Sequence, residues 1–288
     1  MKLKIYGERN TGTNYLEQLL LVNLAHLPRD IQGKIQYISS PTGDIISPEE
    51  SAQHLGWKHR LLEPSFLQAL HIKQEDIRIV TLTKNPYSWL LSLHKRPYNV
   101  VSARTQVMRQ NEHGLFIPPS PSRIRVMRFL NRWRSKTFTC WDKYQKLTFQ
   151  QFLHAAWFTV PHEGSSNIEH PMALWNQKNA AYLNVAKYYP VLLCTYEQLL
   201  ATPEATVRRI FLSLGVTLKK FENIAQSTKK TDRAQKDHGY YYNYYLNEEW
   251  RRKLTPHDIA RITTQLDPQV MNAFQYLPLS LSNRVTYP

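Results

Sequence analysis

The stretch that most constrains this chain is Lys2 to Leu20, KLKIYGERNTGTNYLEQLL. Leu3-Lys4-Ile5-Tyr6 is a short apolar run that reads as a buried strand, and Gly7 breaks it. Glu8 to Gly12 read as a tight loop. From Thr13 onward Tyr15, Leu16, Leu19 and Leu20 recur at helical spacing, which predicts a helix. Strand, glycine-bounded loop and helix together form an anion cradle, because loop N–H groups and the positive helix N-terminus converge on one point. Gly7-x-x-x-x-Gly12 carries the two glycines of a nucleotide P-loop. Thr13 and Asn14 stand where its Lys and Ser/Thr would follow. That pair reaches the β/γ-phosphates and holds Mg²⁺, so its absence argues against an NTPase or a kinase. What remains is a loop for a phosphate-like group with no evident need of a metal.

A chain of 288 residues is long enough for one large domain, or two at most. Its formal net charge of +15, from 37 Lys+Arg against 22 Asp+Glu, predicts an anionic partner: nucleic acid, a membrane surface or a polyanionic small molecule. Charge alone does not choose among them, and the basic residues form no nucleic-acid-binding motif. Cys140 and Cys194 have neither metal-ligand spacing nor a disulfide framework, as expected in a reducing compartment. The first strand starts at residue 2, leaving no room for a leader, and no apolar stretch reaches spanning length. A soluble, cytoplasmic protein is the expectation.

Further strand-to-helix junctions follow. His54 to Trp57 reads as a strand whose end presents Lys58, His59 and Arg60. A lone histidine is commonly structural, but three basic groups at a strand end are where open parallel sheets place ligands. Ile77 to Thr83 is the clearest strand, rich in β-branched residues, and it runs through Lys84 and Asn85 into a helix opened by Pro86. Lys84 and Ser92 are eight apart, two helical turns or about 11 Å, so they share one anion only if the loop folds back. Residues 97–143 are basic and proline-interrupted, and read as a lid-like insertion. Helical spacing returns at 149–158 and 173–188. Val191 to Tyr196 lies in another buried strand, followed by a helix from Pro203 that Gly215 ends. Tyr240, Tyr241, Tyr242, Tyr244 and Tyr245 form an aromatic run, and helices close the chain at 248–275. The order predicts an α/β fold: a P-loop-like parallel sheet flanked by helices on both faces.

Taken in order, these pieces resemble the sulfotransferases that use 3′-phosphoadenosine-5′-phosphosulfate (PAPS). GERNTGTNYL resembles the 5′-phosphosulfate loop, and KNPYSWLLS the 3′-phosphate motif, with its basic residue and a serine eight positions later. WNQKNAAYL and TYEQLLATPEATVRRIFLSLGV resemble later segments of the family. The resemblance implies that Thr11, Gly12, Thr13 and Asn14 hold the 5′-phosphosulfate, with Arg9, Asn10 and Tyr15 completing that wall. It implies that Lys84 and Ser92 hold the 3′-phosphate, that Tyr196 lies near the adenosine, and that Ser227, Thr228 and Lys229 surround the adenine and 3′-phosphate. His59 matches the family's general base. Two departures stand out: Asn10 replaces the loop lysine, with Arg9 or Lys58 the substitute cations, and Lys84 replaces an arginine, losing its bidentate fork. Lys230, Arg233 or Lys236 would stand in for a basic loop near the C-terminus.

The implied reaction is in-line sulfuryl transfer to a hydroxyl or an amine or carbamoyl nitrogen of a small metabolite, without a metal. His59 would take the acceptor's proton, with Lys58 and Arg60 lowering its pKa. Lys58 and Arg9 would steady the leaving oxygen. The GERNTGTNYL and WKH forms most resemble bacterial secondary-metabolite enzymes, including those acting on guanidinium toxins of the saxitoxin type. For a cationic acceptor, Glu63, Asp142, Glu163, Glu169 and Trp157 are the pocket candidates. The competing reading is a catalytically inactive nucleotide-binding or polyanion-binding protein.

Overall fold

In a computed structural model of the chain, the structure describes residues 1–40, 53–95, 147–155, 168–224 and 236–280. Strand β1 (Lys2–Gly7) leads through the loop into helix α1 (Thr13–Leu24). The short α2 (Arg29–Gln32) precedes the edge strand β2 (Gln36–Tyr37). Helix α3 (Pro64–Ala69) comes before β3 (Ile77–Thr83) and α4 (Pro86–Lys95). Farther along the chain lie α5 (Phe149–His154), α6 (Pro171–Val185) and β4 (Val191–Thr195). The C-terminal part adds α7 (Tyr196–Ala201), α8 (Pro203–Ser213), α9 (His238–Leu246), α10 (Pro256–Gln265) and α11 (Pro268–Ala273).

The four strands form one parallel sheet in the order β2-β1-β3-β4. Alternation along each strand sends side chains to opposite faces. Leu3 and Ile5 of β1 and Val80 and Leu82 of β3 pack with α1 and α8. Tyr6, Ile77 and Ile79 face Leu62, Leu67 and Tyr182 on the other side. A third cluster joins α4 and α6 to the C-terminal helices around Trp89, Trp175 and Trp250. The sheet is therefore flanked by helices on both faces, as the pattern predicts. The register pairs Gly7 with Leu82 and Thr83 with Thr195, so β1, β3 and β4 all end at one edge.

Several local expectations need correcting. Residues 54–57 are not a strand. Leu55 (φ 54°) and Gly56 (φ 74°) are both left-handed, which turns the chain instead of extending it. A Cβ on Gly56 would meet Arg60 Cδ at 2.8 Å and Phe66 Cζ at 2.9 Å, so the turn is tight as well. The helix expected over 149–158 ends at His154. The one expected over 173–188 starts earlier, at Pro171, where the His170 ring accepts from the Ala173 amide, and it stops at Val185. The 248–275 segment is three pieces, a 3₁₀ turn over Glu249–Lys253 and then α10 and α11, each of the two helices begun by a proline. The insertion at 97–143 lies outside the described residues.

Candidate active site

The loop between β1 and α1 is shaped by its own main chain. Glu8 O accepts both the Thr11 amide (3.2 Å) and the Thr11 hydroxyl (2.5 Å). Asn10 sits at φ 66°, a left-handed position that asparagine tolerates better than most residues. Gly12 has φ 92°, and a Cβ there would lie 2.4 Å from the Tyr196 ring. At Gly7 a Cβ would come within 2.6 Å of Thr13 and 2.7 Å of the Leu82 carbonyl. No side chain caps α1, which begins directly after Gly12. The Tyr15 amide already donates to Gly12 O (2.9 Å), which leaves the Thr13 and Asn14 amides for a ligand, and the helix dipole favours an anion there. Asn10 Nδ2 is buried and has no hydrogen-bond partner among the described residues.

Next to the loop, at the end of β3, lies a buried cation. Lys84 Nζ donates to Ser92 Oγ (3.1 Å) and to the Asn10 carbonyl (3.4 Å). The eight-residue gap is bridged by the length of the lysine side chain rather than by a fold-back of the loop. Aromatic faces hold the ammonium, with Tyr245 at 3.7 Å and Tyr196 at 5.2 Å from Nζ to the ring centroid. Burial pushes the Lys84 pKa down to about 7, partly countered by Glu197, whose own carboxyl burial pushes up. Glu197 is held by the Asn85 amide (3.1 Å) and the Tyr276 hydroxyl (2.6 Å). Trp175 Nε1 fixes the Lys84 carbonyl at 3.0 Å. A cleft of about 220 Å³ opens here, lined by Asn10, Ser92, Lys95, Lys236, Tyr245 and Lys253, among others.

The third part comes from the turn at 57–60. His59 is 8% exposed, and its Nδ1 lies 2.5 Å from Gly7 O. A carbonyl only accepts, so Nδ1 carries the proton and Nε2 keeps its lone pair. Burial is the main reason the imidazole pKa falls well below 6.5. The bond to Gly7 opposes this, while Lys58, Arg9 and Lys178 add to it. Arg60, expected to contribute, instead places its guanidinium 3.2 Å over the Phe66 ring centroid and donates to Leu61 O. Lys58 reaches the start of α1, where Nζ donates to Asn14 Oδ1 (2.7 Å) and pairs with Glu17 (2.9 Å). Arg9 lies over Trp57 at 4.3 Å, and the Trp57 edge meets the His59 ring with centroids 4.9 Å apart. Both substitute cations therefore border the loop.

Of the residues singled out from sequence, Arg9 to Tyr15, Lys58, His59, Lys84, Ser92 and Tyr196 gather along this sheet edge. Ser227, Thr228 and Lys229 lie outside the described residues, as do Lys230, Arg233, Asp142, Trp157 and Glu163. Glu63 and Glu169 are exposed. Sequence reasoning missed four participants. Glu8 and Lys178 form a buried ion pair at 3.3 Å beneath the loop. Glu197 and Tyr245 flank Lys84. A lysine between Trp175 and Tyr182 on a largely buried helix was a readable signal for Lys178, whereas nothing distinguished Tyr245 within its aromatic run.

No family model matches the chain, and no curated protein matches it. Among solved structures, the chain is similar to a sulfotransferase from Alicyclobacillus acidocaldarius, at 13% identity and a TM-score of 0.42 over 96% of each chain. At that similarity the likeness says nothing of activity. Among the described residues no helix is long and apolar enough to cross a membrane, and no three His, Cys, Asp or Glu side chains gather as a metal site.

Proposed function

We propose that this chain is a sulfotransferase that takes its sulfuryl group from PAPS and passes it to a hydroxyl or nitrogen of a small metabolite. The observation that carries the reading is Lys84: a buried ammonium bonded to Ser92 and to the loop carbonyl, beside a helix start with uncapped amides. Two anion positions a short distance apart suit a nucleotide phosphorylated at both ends better than a simple nucleotide. The residues present fit that ligand. The unpartnered Asn10 Nδ2 supplies a donor, and the glycines at 7 and 12 admit no side chain where the loop must wrap a phosphate. The motif resemblance points the same way.

When bound, PAPS supplies a sulfur whose bond to the nucleotide phosphate oxygen breaks as the acceptor's bond to sulfur forms. The chain's residues do the rest. His59 Nε2 accepts the acceptor's proton, and the Nδ1–H held on Gly7 O steadies the imidazolium that results. Loop amides, the α1 N-terminus, Lys58 and Arg9 face the charge that grows on the leaving oxygen. Within small-molecule acceptors, a guanidinium compound of saxitoxin type is the narrower reading, supported by the WKH and GERNTGTNYL forms.

The test is a thermal-shift titration with 3′-phosphoadenosine-5′-phosphate beside AMP and Mg-ATP. A ligand at a hundred times its dissociation constant stabilises the fold by ~2.7 kcal/mol. A shift selective for the 3′-phosphorylated nucleotide supports the donor class and opens an acceptor screen with labelled PAPS. An equal shift with AMP removes the role given to Lys84 and Ser92. No shift with any nucleotide returns the chain to the class of basic-surface binding proteins.

A further inference from the structure

The buried pair Glu8–Lys178 has no part in the scheme above, yet it touches both halves of it. Lys178 projects from α6 and is 1% exposed, while Glu8 is 4% exposed. The Lys178 ammonium lies 3.3 Å from Glu8 Oε2 and donates a short hydrogen bond to the His59 carbonyl. Glu8 Oε1 accepts the Arg9 amide at 2.6 Å, and the Glu8 carbonyl takes both Thr11 donors. His59 in turn returns to the loop through Gly7 O, and the Gly7 amide donates to Lys58 O at 2.9 Å. The loop and the histidine turn are thus joined twice, once edge to edge through Gly7 and once from below through a single ammonium.

A buried ion pair is weak evidence for stability, since apolar residues of like volume commonly do as well. Its place between Trp175 and Tyr182, both buried, calls for another explanation. We propose that Lys178 is a positioning residue: held by Glu8 on one side and by the His59 carbonyl on the other, it locks the anion loop and the histidine into one rigid unit. The charges facing the imidazole support this. They are Lys58 from its own turn, Arg9 from the loop and Lys178 from α6, with Glu8 beyond Lys178. All three cations disfavour a proton on His59, adding to the burial that is the main reason the ring stays neutral.

The catalytic side of this rests on the proposed sulfuryl transfer, but the clamp itself can be tested without turnover. Lys178→Met removes the donor and strands Glu8, so the double variant Glu8→Gln/Lys178→Met is measured beside it. The glutamine keeps an oxygen for the Arg9 amide. Histidine ring carbons are followed by NMR against pH, with the His59 signal assigned by its loss in His59→Gln. In the double variant the His59 midpoint should move from its wild-type value yet stay below 6.5, because burial, the main cause of its depression, remains, while affinity for 3′-phosphoadenosine-5′-phosphate, read by thermal shift, stays within about threefold of wild type. Where an acceptor is in hand, kcat should fall about 10- to 100-fold with the donor KM little changed, and its acid limb should move with the NMR midpoint. A double variant with an unmoved midpoint and wild-type kcat would overturn the clamp. A midpoint that moves in a protein that transfers no sulfuryl group would sustain the clamp and count against the enzyme.

Discussion

Tyr196 packs against Gly12, close enough that a Cβ on the glycine would sit 2.4 Å from two ring carbons. The first residue of α7 therefore walls the loop that opens α1. The contact leaves no freedom at position 12, whose φ of 92° already disfavours any side chain. Gly12→Ala should cost ~1–3 kcal/mol of backbone strain, with steric displacement of Tyr196 added. The observable outcome is a folded but less stable protein that no longer shows a thermal shift with 3′-phosphoadenosine-5′-phosphate. Unaltered nucleotide binding in that variant would mean the loop does not hold the 5′ end.

Lys84→Met tests the other anion position. Hydrogen bonds to charged groups contribute ~1.5–3 kcal/mol, so affinity for the 3′-phosphorylated nucleotide should drop by roughly 10- to 150-fold. Affinity for AMP should barely change. Isothermal titration of the two nucleotides against both proteins reads the difference directly.

Protonation of the same lysine should make binding pH-dependent. Free Lys84 loses its proton near pH 7, and a phosphate beside it draws the proton back. Above about pH 7, binding must then take up a proton, and affinity should fall by up to tenfold per unit until another group intervenes. Below pH 7 the lysine is already charged and the dependence flattens. Titration in two buffers of different ionisation enthalpy counts the proton taken up.

Stability should also climb with pH over an unusual range. Lys4 is buried against Ser39 O, Ser40 Oγ and His54 O, and like Lys84 its pKa is pushed down from 10.5 to about 7. Between those two values the unfolded chain binds more protons than the folded one, so stability rises as pH rises. At about pH 7 and below both states hold the protons, and the full cost of burying two ammonium groups remains. His59 adds a loss of stability as pH falls below 6.5, because the unfolded chain then gains a proton that the native imidazole refuses. Chemical denaturation at pH 6, 7, 8 and 9 should show an ascending series. A flat or descending one would mean that Lys4 and Lys84 are not desolvated as described.

For turnover, His59→Ala should lower kcat by ~10²–10⁴-fold with saturating acceptor. Because the native imidazole stays neutral well below pH 6.5, the wild-type acid limb should lie lower than that of a solvent-exposed histidine. A rate that halves near pH 6.5 would assign the limb to another group.

Much of this was legible from residue pattern. The β1-loop-α1 unit announces itself through a change of apolar period at a glycine, and β3 through its β-branched run. Lys84 and Ser92 were readable as a spaced pair, but the way they meet was not, because it depends on how a lysine side chain lies along α4. The histidine turn was misread because Leu55 and Trp57 alternate as strand residues do, while two left-handed residues send both inward from a turn. Lys178 carries a local hint in its place between Trp175 and Tyr182, but only Glu8, far off in sequence, gives it a buried partner. Period and turn chemistry are local properties. The identity of a buried charge's partner is set by tertiary packing.

The register that ends β1, β3 and β4 at one edge also orders events in time. Gly7, Thr83 and Thr195 are brought level by two parallel pairings, each spanning a long stretch of chain, and such non-local contacts form late and slowly. The two proposed anion positions lie at the ends of different strands, so no fragment or half-assembled sheet would offer both. A bound nucleotide would therefore slow unfolding much more than it speeds folding, and its arrival during refolding would mark the moment the sheet closes.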